Sequence, residues 1–210
     1  MHILYWIVLY CAKGYFKLFH RCRIYGKQNI VPGSAILAPN HTSFFDPPLI
    51  GACCPEEVHY LARASLFRHF LFGWFLKHLN AHPVHGSAQD IYSFKIICQL
   101  LSEGKKVVIF PEGIRSEDGT LNPIKSGIAM LALRMHCPII PIYISGTFEA
   151  WPRQRRFPKI GPPITCVFGS PILVDAYLHL NKKDAQEQLT KRVQQSIGEL
   201  RNWLEAGAKE

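Results

Sequence analysis

Short apolar runs that alternate with helically spaced segments constrain the fold of this chain most. Ala35–Pro39, Val58–Ala62, Lys106–Phe110 and Ile164–Phe168 are compact runs of strand length. Between them, Ile91, Phe94, Ile97 or Cys98, and Leu101 recur at a helical interval within Ala88–Leu101, and Ser126–Met135 reads as a further helix. Strand and helix in alternation bring strands into parallel pairing through crossover helices, so an α/β fold is expected. The length of 210 residues suits one such domain with an added terminal segment.

Arg23–Pro32 is read as a strand and turn, and Pro83-Val84 as an edge strand. Ile139–Ser145 carries Pro141, which predicts a strand near an edge or an irregular one. Leu66–Leu76 is dense in aromatics and is read as a core helix, with a patch dipping into lipid as the alternative. Residues 184–204 form an amphipathic helix with Leu189, Val193, Ile197, Leu200 and Leu204 on one face. Arg153, Arg155, Arg156 and Lys159 are read as a solvated basic loop.

The formal charge of +9 favours anionic partners. The cations are scattered and no nucleic-acid motif accompanies them, so membrane surface and acidic metabolites rank above nucleic acid. Seven cysteines without a C-x-x-C pair fit a reducing compartment rather than a disulfide framework or zinc site. His78, His82 and His85 have ligand-like spacing, but Pro83 breaks any helix that would align them, so no metal is expected.

Ile3–Ala12 is an unbroken apolar run; its ten residues would rise about 15 Å as a helix, half of a ~30 Å hydrocarbon core. Continued to Phe19, it takes in Lys13 and Lys17, which with Arg21 form one basic stripe. That pattern predicts a helix in the membrane interface, with its cations toward anionic head groups. Docking on the protein core and a tilted span are the competing readings. The charge follows the apolar run, which puts the remaining chain on the cytoplasmic face. No basic n-region precedes the run, so it is not read as a signal peptide.

Two stretches carry candidate chemistry. Asn40-His41-Thr42-Ser43-Phe44-Phe45-Asp46-Pro47 leads from a strand into a short helix expected over Leu49–Cys54. Asp46 before Pro47 fits an N-cap, and Ser43 fits a cap of the turn. The turn is expected to offer free backbone N–H groups to an anion. A neutral imidazole at His41 can take a proton from a hydroxyl, and a carboxylate at Asp46 would fix its tautomer and stabilise the cation formed. The plainer alternative is a helix cap beside a surface histidine. Phe110–Ser116 sits at the carboxyl end of a strand, where ligands bind open α/β sheets. There Gly113 allows close backbone approach, Glu112 can accept from a hydroxyl, and Arg115 can grip a phosphate bidentately.

With both stretches in place the chain resembles the glycerolipid acyltransferases, of the 1-acylglycerol-3-phosphate acyltransferase type. NHTSFFD at Asn40–Asp46 is similar to the family's first motif, FPEGIRS at Phe110–Ser116 to its third, and IPIYISG at Ile140–Gly146 to its fourth. At the second, Pro83-Val84 is followed by His85-Gly86-Ser87 with no arginine. His85 or Arg63 then stands in as the second phosphate-facing cation, or Arg115 acts largely alone.

The resemblance implies a mostly parallel sheet flanked by helices, with residues 1–22 a membrane-interacting helical segment and 23–210 the acyltransferase domain. It implies transfer of a fatty acyl group from acyl-CoA or acyl carrier protein to the free hydroxyl of 1-acyl-sn-glycerol-3-phosphate, giving phosphatidic acid. His41 would be the base and Asp46 its orienting partner. Ser43, Glu112, Gly113, Arg115 and His85 would bind substrate, with Glu112 on the glycerol part and Arg115 on the phosphate. The thioester is already activated, so neither cofactor nor metal is implied. Donors to the developing oxyanion would come from the fourth motif or the first turn. Membrane lipid and lysophosphatidate are the expected partners, with acyl carrier protein a further one. Rival readings are an acyltransferase for another lysophospholipid or glycerol 3-phosphate, and a non-catalytic membrane scaffold. A serine hydrolase is disfavoured by the lack of a G-x-S-x-G elbow.

Overall fold

The structure, a computed structural model, describes residues 3–84 and 91–208. Its centre is a seven-stranded sheet of β1 (Arg23–Tyr25), β2 (Ala35–Pro39), β3 (Val58–Arg63), β4 (Ala81–Val84), β5 (Lys106–Val108), β6 (Ile139–Ser145) and β7 (Thr165–Phe168), in the order β1-β7-β6-β2-β5-β3-β4. Every pairing is parallel except β6 with β7. The expected α/β architecture is present, and β4 is the edge strand that Pro83-Val84 indicated.

Period-two alternation in β2 divides the core. Ala35 and Leu37 point to one face, where they join Phe16, Phe45, Leu49 and Ile50. Ile36 and Ala38 point to the other and join Ile97, Leu101, Ile128, Leu189 and Val193. Helices α1 (Ile3–His20) and α2 (Asp46–Cys53) therefore cover the first face. Helices α4 (Ile91–Ser102), α5 (Gly127–Met135) and α7 (Lys182–Glu205) cover the second, and the short α6 (Thr147–Ala150) follows β6. A side chain such as Leu189, wholly buried on α7, contributes roughly 1.5–3 kcal/mol by leaving water. Asn181 caps α7 by accepting from Asp184 N at 3.0 Å.

Three expectations are corrected. β6 is an interior strand despite Pro141. Alternate residues of a strand bond opposite neighbours, so the missing N–H of Pro141 faces the β7 side. There the proline falls between the Ile139–Ile172 bridge and the start of β7 pairing at Ile142–Phe168, while its carbonyl accepts from Gly169 N at 2.8 Å. The aromatic stretch is not a core helix. It folds as a 3-10 turn (Ala64–Phe67) and α3 (Phe70–His78), of which only Gly73 is buried, with Phe70 80% exposed.

The third concerns α1, expected in the membrane interface: one side of it docks on the protein core. Tyr5, Leu9, Phe16 and His20 are buried, whereas Ile3, Ile7, Tyr10 and Leu18 on the opposite side are exposed. Tyr5 Oη accepts from Val58 N at 2.9 Å, so α1 shares the domain's core across the boundary placed after residue 22. Among the described residues no helix is long and apolar enough to cross a membrane.

Candidate active site

The carboxyl ends of β2 and β5 lie side by side because these strands pair directly, from Ala35–Lys106 to Leu37–Val108. The turn after β2 is held by Asn40, whose side chain imitates a strand residue. It donates to Ile144 O at 3.0 Å and accepts from Ile144 N at 2.7 Å, extending the ladder with β6 by one step. Beyond it, His41 Nδ1 lies 2.8 Å from Asp46 Oδ2. The His41 side chain is 17% exposed and that of Asp46 is fully buried, so the carboxylate is out of a substrate's reach and the imidazole is not. With Nδ1 on the carboxylate, Nε2 is the nitrogen left for an incoming hydroxyl. The ring stacks on Phe110, centroids 3.9 Å apart, which fixes its plane.

Asp46 is not the N-cap predicted for α2. It is the first helical residue, and Phe45 takes the cap position without a side-chain bond. Its Oδ2 also accepts from Thr42 N at 2.7 Å and Ser43 N at 2.8 Å. One oxygen thus closes the turn and orients the histidine. Ser43 is corrected as a substrate-binding residue. It is fully buried, its hydroxyl donates to Trp151 O at 2.8 Å and it accepts from Phe45 N at 3.0 Å. The free N–H groups expected here are also taken. His41 N donates to Glu112, Thr42 N and Ser43 N to Asp46, Phe44 N to Trp151 O, and Phe45 N to Ser43 Oγ.

Glu112 is buried, and both its oxygens accept from backbone: Oε1 from His41 N at 2.8 Å and Oε2 from Asn122 N at 3.1 Å. Burial pushes its carboxyl up, and these bonds pull it back. Through these bonds Glu112, the residue expected on the acceptor's glycerol, fastens the third motif to the first. Ser116 N, donating to His41 O at 2.8 Å, is the second fastening. Gly113 has φ 78°, a conformation that disfavours any side chain, and the Lys125 ammonium occupies the space a Cβ would need.

Arg115 Nη1 is buried without a hydrogen-bond partner, and the guanidinium lies 3.8 Å from the Phe44 ring centroid. Burial, then Arg153 and Arg63, lower its affinity for its proton, against a smaller opposing pull from Asp46. Cations thus stand within electrostatic reach of one another and of Asp46, with a donor left over, an arrangement that suits a doubly charged anion. Arg63, one of the two substitutes considered for the missing second-motif arginine, belongs to this group; His85, the other, lies outside the described residues. Sequence reasoning missed the structural parts of Asn40 and Trp151. Asn40 was visible as the residue before His41, whereas Trp151 stands 108 positions from Ser43 and carried no signal.

Comparison with known proteins agrees with this geometry. A family profile described as Acyltransferase matches residues 21–145. A 1-acyl-sn-glycerol-3-phosphate acyltransferase of Bacillus subtilis is 29% identical over 185 residues, covering 87% of this chain and 89% of that protein. One from Limnanthes douglasii is 33% identical over 72% of this chain, which spans 57% of the plant protein. The crystal structure of a 1-acyl-sn-glycerophosphate acyltransferase from Thermotoga maritima shares the fold, with a TM-score of 0.75 at 22% identity over 94% of this chain and 79% of that one. With its motifs on adjacent strand ends and the profile spanning more than half of its length, the chain belongs to the acyltransferase family.

Proposed function

We propose that this protein moves a fatty acyl group from a thioester carrier to the free hydroxyl of 1-acyl-sn-glycerol-3-phosphate, making phosphatidic acid. The observation that carries this reading is the unpartnered, buried Nη1 of Arg115, whose guanidinium is within electrostatic reach of Asp46 in the His41–Asp46 pair. A general base alone fits many acceptors; a base beside clustered arginines fits an acceptor with a phosphate. Relatives that bear this activity in their names support it.

In the reaction, His41 Nε2 takes the acceptor's hydroxyl proton as the oxygen attacks the thioester carbonyl. Asp46 holds the imidazole in the required tautomer and balances the imidazolium. Collapse of the tetrahedral intermediate expels the thiolate, which leaves with the proton returned from His41. Arg115, with Arg63 nearby, holds the phosphate. No cofactor, metal or covalent enzyme intermediate is needed, because the thioester supplies the activation. Acyl-CoA and acyl carrier protein are both acidic donors that a chain of charge +9 attracts. The working position is the cytoplasmic face of a membrane, with the outer face of α1 toward lipid.

The test is release of free thiol from each donor with a panel of acceptors, products being identified by mass. Lysophosphatidate is expected to stimulate release and yield phosphatidic acid. His41→Ala should lower that rate by roughly 10²–10⁴-fold in a folded protein. Release that no acceptor stimulates would leave a scaffold, and stimulation confined to glycerol 3-phosphate or another lysophospholipid would replace the acceptor.

A further inference from the structure

The segment 153–160 leaves the active site as a surface loop whose composition a solvated basic turn does not explain. It carries Arg153, Arg155, Arg156 and Lys159 and no acidic residue. Among these cations two large apolar side chains face water, Phe157 at 68% and Ile160 at 59% exposure. A single exposed phenylalanine is ordinary, but an apolar pair set among cations is the pattern of lipid-contacting surfaces.

The loop is built, not slack. Lys159 N donates to Ala150 O at 2.8 Å, Arg155 N to Pro152 O at 3.1 Å, and Arg155 Nη1 to Glu149 O at 3.0 Å. Trp151 Nε1 donates to Arg155 O at 3.2 Å. Phe157 and Ile160 are thus presented outward by a framework that uses other residues. The far end of the loop is tied to α1, with Gly161 N donating to Phe19 O at 3.2 Å and Arg21 to Gly161 O at 3.3 Å. There α1 adds exposed apolar side chains of its own, Leu18 at 75% and Phe19. The near end is tied to both catalytic motifs. Trp151 O accepts from Ser43 Oγ, and Gln154 Nε2 donates to Glu117 O at 2.9 Å, just past Arg115.

We infer that loop 153–160 is a docking element for the surface of an anionic phospholipid bilayer, and that it seats the mouth of the active site on that surface. Phe157 and Ile160 enter the head-group boundary while Arg156 and Lys159 meet lipid phosphates. A polar carrier protein would satisfy the cations but leave the apolar pair in water. The inference rests on the proposed reaction for its purpose: an acceptor resident in the bilayer would reach His41 without crossing water. It does not rest on that reaction for its test.

The full chain is mixed with vesicles of phosphatidylcholine containing phosphatidylglycerol, with vesicles of phosphatidylcholine alone, or with an acidic acyl carrier protein. Bound protein is sedimented, and amide exchange is followed. Anionic vesicles are expected to slow exchange across 153–161 and the end of α1 but not within α7. The pair Phe157→Ser with Ile160→Ser, and separately Arg156→Gln with Lys159→Gln, should each weaken vesicle binding roughly tenfold or more. Melting temperature, and turnover of a short-chain acceptor dispersed as monomers, should stay at parental values. Both pairs binding anionic vesicles as the parent does would overturn the inference. So would loop protection by the carrier protein and not by vesicles. A parent that docks in this way yet acylates no acceptor would refute the proposed function and leave the docking element standing.

Discussion

Arg115 joins a charge to partial burial without a full set of partners. Its guanidinium is partly withdrawn from water, feels the charges of Arg153 and Arg63, and keeps one buried nitrogen without a partner. Such a group costs stability until an anion arrives, which is the signature of a binding residue. Losing a charge-assisted bidentate contact in a shielded site costs about 2–5 kcal/mol, or roughly 30- to several-thousand-fold. Arg115→Ala is therefore expected to lower kcat/KM for phosphate-bearing acceptors by that factor, with Arg115→Lys intermediate because lysine keeps the charge but not the fork. Slow thioester hydrolysis without acceptor should be unchanged in both; equal losses in the two activities would make Arg115 structural. The types and spacing of His41 and Asp46 made their contact legible in the sequence. The same signal assigned Ser43 and Glu112 to substrate, but a motif does not say which polar atoms the fold also spends on itself. Both are buried, Glu112 bonded to His41 N and Asn122 N, and Ser43 to Trp151 O and Phe45 N.

At the scale of elements, α1 shows that one apolar stretch can serve two environments. Tyr5, Leu9 and Phe16 close the core, whereas Ile3, Ile7 and Tyr10 point away from it. Deleting the helix would confuse the two roles, but point substitutions separate them. Leu9→Ala should cost about 2–5 kcal/mol, seen as a lower melting temperature. Ile3→Ser with Ile7→Ser should leave melting within about 0.5 kcal/mol per site of the parent and reduce sedimentation with membranes. An outer-face pair that melts early and binds membranes normally would put α1 wholly in the service of the fold. The sequence marked α1 as apolar but could not say which side docks, since its run Ile3–Ala12 is apolar all round and has no contrast to read. The same lack of contrast led Leu66–Leu76 to be read as core. The strand positions were plain because the short buried runs of β2 and β5 have few other solutions. The interior place of β6 was not, because Pro141 is excluded from a ladder only where its missing N–H meets a partner.

Across the whole molecule, the active-site turns lie at the carboxyl edge of the sheet, while its stability also depends on groups well away from that chemistry. His59 on β3 and His82 on β4 place Nδ1 and Nε2 3.1 Å apart, and His59 is nearly buried. One imidazole donates to the other only while the accepting nitrogen is unprotonated, so the contact does not survive with both rings charged. Burial, then His82 and Lys105, depress the His59 pKa to about 4, against a smaller opposing effect of Glu103; burial lowers His82 as well. A base depressed in the folded state binds its proton first in the unfolded chain. Folding stability is therefore full above the ordinary histidine value near 6.5 and falls as pH drops from there toward about 4. A depression of this size is worth at most on the order of 3 kcal/mol, and solvent access at the edge strand takes back part of it. For a chain of this length that upper value corresponds to roughly 6–12 °C in Tm. His59→Gln cannot take up that proton, so its Tm should fall less than the parent's between pH 7 and pH 4, even if it starts lower. The comparison is made by thermal melts at matched ionic strength. Parallel Tm–pH curves for the two proteins would mean that the acid sensitivity resides in other groups, and that the β3–β4 histidine contact contributes packing alone.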